Sequence, residues 1–245
     1  MPIHTLAVSN KRLYQQAADR IAESIARGEY APGAKLPAER DLARQLQVSR
    51  PTVREALIAL EISGIVEVRV GSGAYVRRRE SALAPRRDAG ASAFELVAAR
   101  KLIEPQVAGA AAQSITKSEL AGLRETLDLI ETRTRDHREK LEVDRLFHVR
   151  IAEATHNAVL IEVVGQLWKG MFDPIFATLS ERTRLTYKQY MTLADHRAIY
   201  GCIERRDAAA AHASMLAHLV NVELTLMNGE EVLEEGAASR RPPGF

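Results

Sequence analysis

The sequence predicts a mainly α protein in two parts, with a single β-hairpin closing the first part. Three observations carry this. Alanine is abundant and aromatics make up only 5% of the chain, which favours helix over sheet. A two-residue apolar period is found only near residues 65–78. The charge changes sign along the chain: residues 1–87 hold 15 Lys+Arg against 9 Asp+Glu, residues 88–245 hold 19 against 23. A basic front half on an acidic back half is the pattern expected of a nucleic-acid-binding module joined to a different kind of domain. The length of 245 residues suits one large or two ordinary domains, and 46% hydrophobic with 27% charged residues is a globular composition. The one cysteine, Cys202, excludes a disulfide framework within the chain and a Cys-rich zinc site. No run of about 18 apolar residues is present, so no membrane span is expected. MPIHTLAVSNKR lacks a basic region followed by an apolar stretch, so no signal peptide is expected, and a soluble cytoplasmic protein follows.

In chain order, NKRLYQQAADRIAESIARGEY places Leu13, Ala17, Ile21 and Ile25 on one helical face, and Gly28 is positioned to end that helix. YAPGAKLP is a turn-rich connector. AERDLARQLQV is a short second helix with Leu42, Ala43 and Leu46 inward. Ser49 caps a third helix, with Pro51 in its first turn and Val53, Leu57 and Leu60 on one face, and Gly64 stops it. IVEVRV and AYVRR alternate in strand fashion around Gly71-Ser72-Gly73, a hairpin with a glycine-rich tip. Three helices and a hairpin describe a winged helix-turn-helix over residues 1–79.

Residues 80–92, polar and without periodicity, read as a linker. From residue 93 to 230 only helical patterns appear, near 93–113, 116–133, 138–155, 158–180, 188–204 and 207–228. Thr116 and Glu119 have capping-box spacing, Asp207 is placed to cap the last helix, and Pro105 is expected to kink or break the first. Residues 231–245, EVLEEGAASRRPPGF, are expected to be a disordered tail.

The third helix begins S-R-P-T-V-R-E-A-L. A recognition helix reads base edges in the major groove with its N-terminal residues. Arg50, Thr52 and Arg54 lie within its first turn and a half. Arginine pairs bidentately with guanine, and threonine contacts phosphate or a thymine methyl. The helix N-terminus at Ser49 attracts phosphate, and Arg40 is placed to join this surface. Arg69 beside the small Gly71, Ser72 and Gly73 suits the narrow minor groove. A solvated basic face is the competing explanation.

In the second part, Asp144 and His148 are i, i+4 and leave one helix face together. His196 and His218 lie on two later helices. One carboxylate and three imidazoles suit Zn²⁺, Ni²⁺ or Mn²⁺ in a bundle core, with open positions for water or a ligand. Spacing alone leaves a structural role open for each histidine. His137 reads as loop and His156 as a helix end, and His212, six residues from His218, cannot share its face.

Residues 13–76 resemble the winged-helix domain of the GntR family of bacterial transcription regulators. Tyr14, Ile21, Ile25 and Gly28 carry the resemblance, with the run PGAKLPAERDLARQLQVSRPTVREALIALEISGIVEVRVGSGAYV. That run holds the LP-x-ER-x-LA block, the V-S-R-x-T-V-R-E-A block and the G-x-G tip in order. By resemblance, Arg40, Ser49, Arg50, Thr52, Arg54 and the tip near Gly71 contact DNA. Ala38 departs from the family's frequent serine and loses a possible cap and phosphate contact. Residues 93–228 resemble the FCD ligand-binding domain of the FadR subfamily, through Arg100 and Glu104, Asp144 and His148 with Asn157, Asp195-His196, and Met215 with His218. The resemblance implies one divalent metal ion per chain, zinc foremost with nickel or manganese as alternatives, on Asp144, His148, His196 and His218.

It further implies a small carboxylic-acid effector, with Arg100 gripping its carboxylate and Asn157 nearby. An Arg100–Glu104 surface pair is the equal alternative. Gln166, Lys169, Arg182, Arg184, Tyr187 and Tyr190 are candidates to line the pocket, and a hexuronate or aldonate is the expected effector. The resulting reading is a homodimeric regulator, a repressor of a carbon-metabolism operon, on double-stranded palindromic operator DNA. The alternatives are a metal-responsive regulator with the ion as signal, and a metal-dependent hydrolase with Glu142 or Glu153 as base. The latter is disfavoured by the attached DNA-binding module.

Overall fold

The computed structural model describes residues 12–69, 71–77, 89–132, 136–183, 185 and 189–228. The chain divides between Ser92 and Ala93. The first unit holds α1 (Leu13–Ala26), α2 (Glu39–Leu46), α3 (Arg50–Ile62), β1 (Val66–Arg69) and β2 (Gly73–Val76). The second holds α4 (Ala93–Ser114), α5 (Lys117–Thr132), α6 (His137–Glu153), α7 (Ala158–Gly170), α8 (Pro174–Arg182), α9 (Gln189–Glu204) and α10 (Ala208–Asn228). No helix among the described residues is long and apolar enough to cross a membrane. The tail at 231–245 and linker residues 80–88 lie outside the described residues.

The three helices and the wing of the first unit share one core. Ala17, Ala18 and Ile21 of α1 meet Leu42 and Ala43 of α2, Val53, Ala56, Leu57 and Leu60 of α3, and Val66, Ala74 and Val76 of the hairpin. Leu13, expected inward, is 52% exposed, and Tyr14 takes the buried place at 1%. The reason is helical geometry, since Tyr14 stands three, four and seven residues before the buried Ala17, Ala18 and Ile21 and so centres on their face, and its hydroxyl donates to the Gly90 carbonyl at 2.6 Å. Local capping chemistry ends the helices as the residues dictate. Gly28 (φ 81°) follows α1 and Gly64 (φ 70°) follows α3, and the Ser49 hydroxyl accepts from Thr52 N–H at 3.2 Å. The end of α2 is less legible, because Gln47 adopts the left-handed conformation without being glycine.

β1 and β2 pair antiparallel with Val66 opposite Val76 and Arg69 opposite Gly73. The connector before α2 is more ordered than a turn. Leu36 N–H donates to Ala74 O, and Gly33 N–H to Val76 O, both at 2.8 Å, so it runs beside β2. Residues 89–92 also belong with this unit. Gly90 O accepts from Arg12 Nη1 at 2.7 Å, and the Ser92 hydroxyl donates to the Glu55 carboxylate at 2.9 Å.

Ala38 stands at the N-cap of α2 in extended conformation with no side-chain cap. Ala38→Ser is expected to supply the missing acceptor and stabilise the first unit by about 0.5–2 kcal/mol. Chemical denaturation of the wild type and variant checks this. An unchanged midpoint would mean that water already serves the first-turn amides equally well.

In the second unit α4 is the central helix, packed by α10, α6, α7 and α9. It buries one broad face, including Val97, Arg100, Glu104, Val107, Ala108 and Ala111, and leaves Glu95, Ala98, Leu102 and Gln106 exposed on the opposite side. Pro105 is buried and α4 continues through it as one element, because the packing of its buried face against several helices outweighs the lost backbone hydrogen bond. The expected helix at 158–180 is two helices. Met171–Asp173 turn the chain and Pro174 starts α8, where proline's missing N–H costs nothing. Thr116 and Glu119 form the reciprocal capping box at α5, and Asp207 accepts from Ala210 N–H at α10. His137 is the first residue of α6 rather than loop, within 2.9 Å of the Ser180 hydroxyl.

Candidate metal centre and nucleic-acid interface

Three helices bring four donors together in the second unit. Asp144 and His148 come from α6, His196 from α9 and His218 from α10. One donor atom from each lies within 4.8 Å of the others. Their imidazoles are 0–2% exposed, and the ring centroids of His196 and His218 are 4.7 Å apart. Asp144 Oδ1 is 2.9 Å from His196 Nε2 and 3.7 Å from His148 Nε2. The Phe147 ring meets His196 edge-on at 4.5 Å and shuts that side with apolar surface.

The second ring nitrogens decide what these donors are for. His148 Nδ1 lies 2.6 Å from Glu104 Oε2, and His218 Nδ1 lies 3.4 Å from Asp195 Oδ2. An ionised carboxylate only accepts, so each Nδ1 carries the proton and each Nε2 keeps its lone pair. Among the described residues, Nε2 of His148 and of His218 has no hydrogen-bond partner. Burial lowers both imidazoles below the ordinary histidine range, His218 to about 4, so both are neutral, the form that ligates. Burial acts to raise the Asp144 carboxyl, but its 2.9 Å contact with His196, foremost among the lowering contacts, holds it low overall. Buried lone pairs converging on one carboxylate are an arrangement that a cation would satisfy. The donor set fits a single first-row divalent ion, whose bonds to nitrogen and oxygen are about 2.0–2.2 Å.

Arg100 departs from the expected effector grip. Its side chain is 1% exposed and forks onto Glu104, Nε to Oε1 at 2.6 Å and Nη2 to Oε2 at 3.3 Å. Nη1 donates to Met171 Sδ at 3.0 Å, and Cζ sits 4.2 Å from the Trp168 ring centroid. The pair foreseen as the surface alternative is therefore present, but buried. Asn157 is exposed and spends its side-chain oxygen on Val159 and Leu160 N–H as the cap of α7, so it is placed as a helix cap. Gln166 and Lys169 are exposed on α7 and Arg182 ends α8 half-buried. Arg184 and Tyr187 lie outside the described residues, and Tyr190 is described only as part of α9. Glu153 is exposed, and Glu142 pairs with Arg145 at 3.2 Å. Neither is among the four grouped donors.

Spacing did not single out Trp168, the chain's one tryptophan, fully buried with its ring 4.9 Å from His148. Its Nε1–H has no hydrogen-bond partner among the described residues. Asn221 was also missed. It donates to Asp195 at 3.1 Å, and its only sequence signal is lying one helical turn after His218.

In the first unit, Arg40, Ser49 and Arg50 are exposed and Thr52 is half-buried at the start of α3. Its hydroxyl is 2.8 Å from that of Ser49. Arg69 is exposed, pairs with Glu67 at 3.1 Å and stacks 4.4 Å over Tyr75. Gly71 (φ 70°) and Gly73 (φ 109°) make the tip, and a Cβ at Gly73 would meet Lys35 Cε at 2.9 Å. Ser72 between them is exposed. Arg54 differs from the expectation. It is 7% exposed and forks onto Glu39 of α2 at 3.1–3.2 Å, so it joins α2 to α3. The helical spacing that puts it on the reading side also brings it within reach of that carboxylate.

Residues 13–76 match the model of the bacterial regulatory proteins of the gntR family, and residues 95–221 match the FCD domain. The chain is 37% identical to the Uxu operon transcriptional regulator of Escherichia coli strain K12, covering 92% of this chain and 91% of that protein. It is 37% identical to the Exu regulon transcriptional regulator of the same strain, over 89% and 86%. It is 32% identical to the transcriptional regulator LutR of Bacillus subtilis strain 168, over 81% and 94%. The exposed arginines around a capped recognition helix thus belong to a DNA-binding transcription regulator and not an enzyme, and the chain is a member of the GntR family with an FCD effector-binding domain.

Proposed function

We propose that this regulator is a homodimeric repressor of a carbon-metabolism operon that senses a small organic or sugar acid at a metal-bearing site in its second unit. The convergence of unpartnered His148 and His218 Nε2 on Asp144 and His196 carries the reading. Asp144, His148, His196 and His218 would hold one divalent ion, zinc foremost. When bound, the ion supplies a Lewis-acidic centre for an effector oxygen. The kinship with the Uxu and Exu regulators supports a sugar acid as effector, a hexuronate or aldonate. Arg40, Ser49, Arg50, Thr52, Arg69 and the Gly71–Gly73 tip would contact a palindromic operator, one half-site per protomer. An effector changes operator affinity only by binding two arrangements of the protein unequally, and the linker at 80–92 is the covalent path for that difference.

The test is operator affinity of metal-loaded and chelator-treated protein, with and without a hexuronate such as galacturonate or glucuronate. Loaded protein is expected to lose roughly 5–150-fold in operator affinity when the acid binds, and chelated protein to lose that response. Equal affinity in all four states overturns the proposal. Affinity that follows metal alone, whichever acid is present, replaces it with the ion as signal.

A further inference from the structure

Arg100 and Glu104 are buried to 1–2% exposure one helical turn apart on α4. Exposed, such a pair adds a little to helix stability. Buried, it brings a desolvation cost that an apolar pair would avoid. Helix stability therefore does not account for it, and its third partner does. Glu104 Oε2 takes both Arg100 Nη2 at 3.3 Å and His148 Nδ1 at 2.6 Å. The guanidinium is itself fixed, its face over Trp168 and Nη1 on Met171 Sδ. We infer that Arg100 and Glu104 are positioning residues for the metal centre, a buried guanidinium–carboxylate–imidazole chain that aims His148 Nε2 at the ion. The inference rests on the assignment of Asp144, His148, His196 and His218 as ligands.

The two-point fork fixes the plane of the Glu104 carboxylate, and that plane fixes the imidazole. Partners of this kind orient a ligand and raise its basicity, and their loss commonly weakens metal binding 10–100-fold. The second such arrangement is looser. Asp195 reaches His218 at 3.4 Å and is 26% exposed, where water competes. The two carboxylates are therefore unequal, and Glu104 has the larger effect. Lysine cannot reproduce the fork of Arg100, so Arg100→Lys is not conservative here.

The experiment is zinc affinity by chelator competition on the full chain, for wild type, Glu104→Gln, Glu104→Asp, Asp195→Asn and His196→Ala. Melting of each metal-free protein and the absorption bands of its cobalt(II) form are recorded beside it. Glu104→Gln is expected to weaken zinc roughly 10–100-fold, with a smaller loss for Asp195→Asn and an altered cobalt spectrum. Glu104→Asp retains the charge beside Arg100 but draws back from His148, and is expected to lose affinity similarly. It serves if Glu104→Gln does not fold. Wild-type zinc affinity and cobalt spectrum in the folded Glu104 variants, with binding lost in His196→Ala, overturn the inference and leave the ligand set standing. Wild-type affinity in His196→Ala overturns the ligand set and the inference with it.

Discussion

His196→Ala is expected to reduce metal content from about one ion per chain to less than about a tenth after purification. His196 is fully buried, and its Nε2 lies 2.9 Å from Asp144 Oδ1. Removal leaves three donors around a hole the size of an imidazole, with Phe147, which packed edge-on against the ring, lining it. Three remaining ligands would hold an ion in many exposed sites. On the proposed assignment the ion would also be the counter-charge for Asp144, so the cluster would lose affinity and compensation together. The response of operator binding to acid should vanish with the metal. The first unit has its own core of α1, α2, α3 and the wing, so its unfolding transition should not move. Elemental analysis reads the result, with His156→Ala as control, since His156 is half-exposed on Glu119 and outside the cluster. Full occupancy in His196→Ala would place the ligands elsewhere.

What could be read from the sequence follows the range of the forces involved. Capping is local, and Ser49, Thr116 with Glu119, Asp207, Gly28 and Gly64 each act within a few residues of where they stand. Left-handed caps without glycine, and conformations imposed from a distance, were not legible. Gln47, His156 and Arg206 end helices at positive φ without being glycine, Gln47 and Arg206 beside local bonds from Val48 N–H to Ala43 O and from Asp207 N–H to Cys202 O. Helix α4 passes through Pro105 because α6, α7, α8, α9 and α10 pack on it. The site divides the same way. Asp144 and His148 share a face by helical geometry alone, whereas His196 and His218 come from separate helices, and family likeness rather than spacing joined them to the pair. The Arg100–Glu104 pair has the same i, i+4 signature on a surface as in a core. Only the tertiary packing of Trp168, Met171 and His148 around it reveals which it is.

Arg54→Ala is expected to act first on stability rather than on DNA. The side chain is 8% exposed and holds both carboxylate oxygens of Glu39, itself 18% exposed. Truncation leaves a largely buried carboxylate without that fork and loosens α2 from α3. A cost of about 3–5 kcal/mol for breaking a buried pair falls to roughly 1–3 kcal/mol once the residual exposure of Glu39 is counted. Arg50→Ala is the counterpart. Arg50 is exposed at the first position of α3, so its loss should leave stability within about 0.5 kcal/mol and weaken operator binding by roughly 1–3 kcal/mol if it reads a base. Denaturation and operator titration of the two variants separate the roles. Glu39→Ala added to Arg54→Ala should restore part of the stability, because the stranded charge goes with its partner. Wild-type stability in Arg54→Ala with specificity relaxed at one base pair would mean that the fork opens on DNA. Arg54 would then trade Glu39 for guanine, and the carboxylate would hold the guanidinium in readiness for the base.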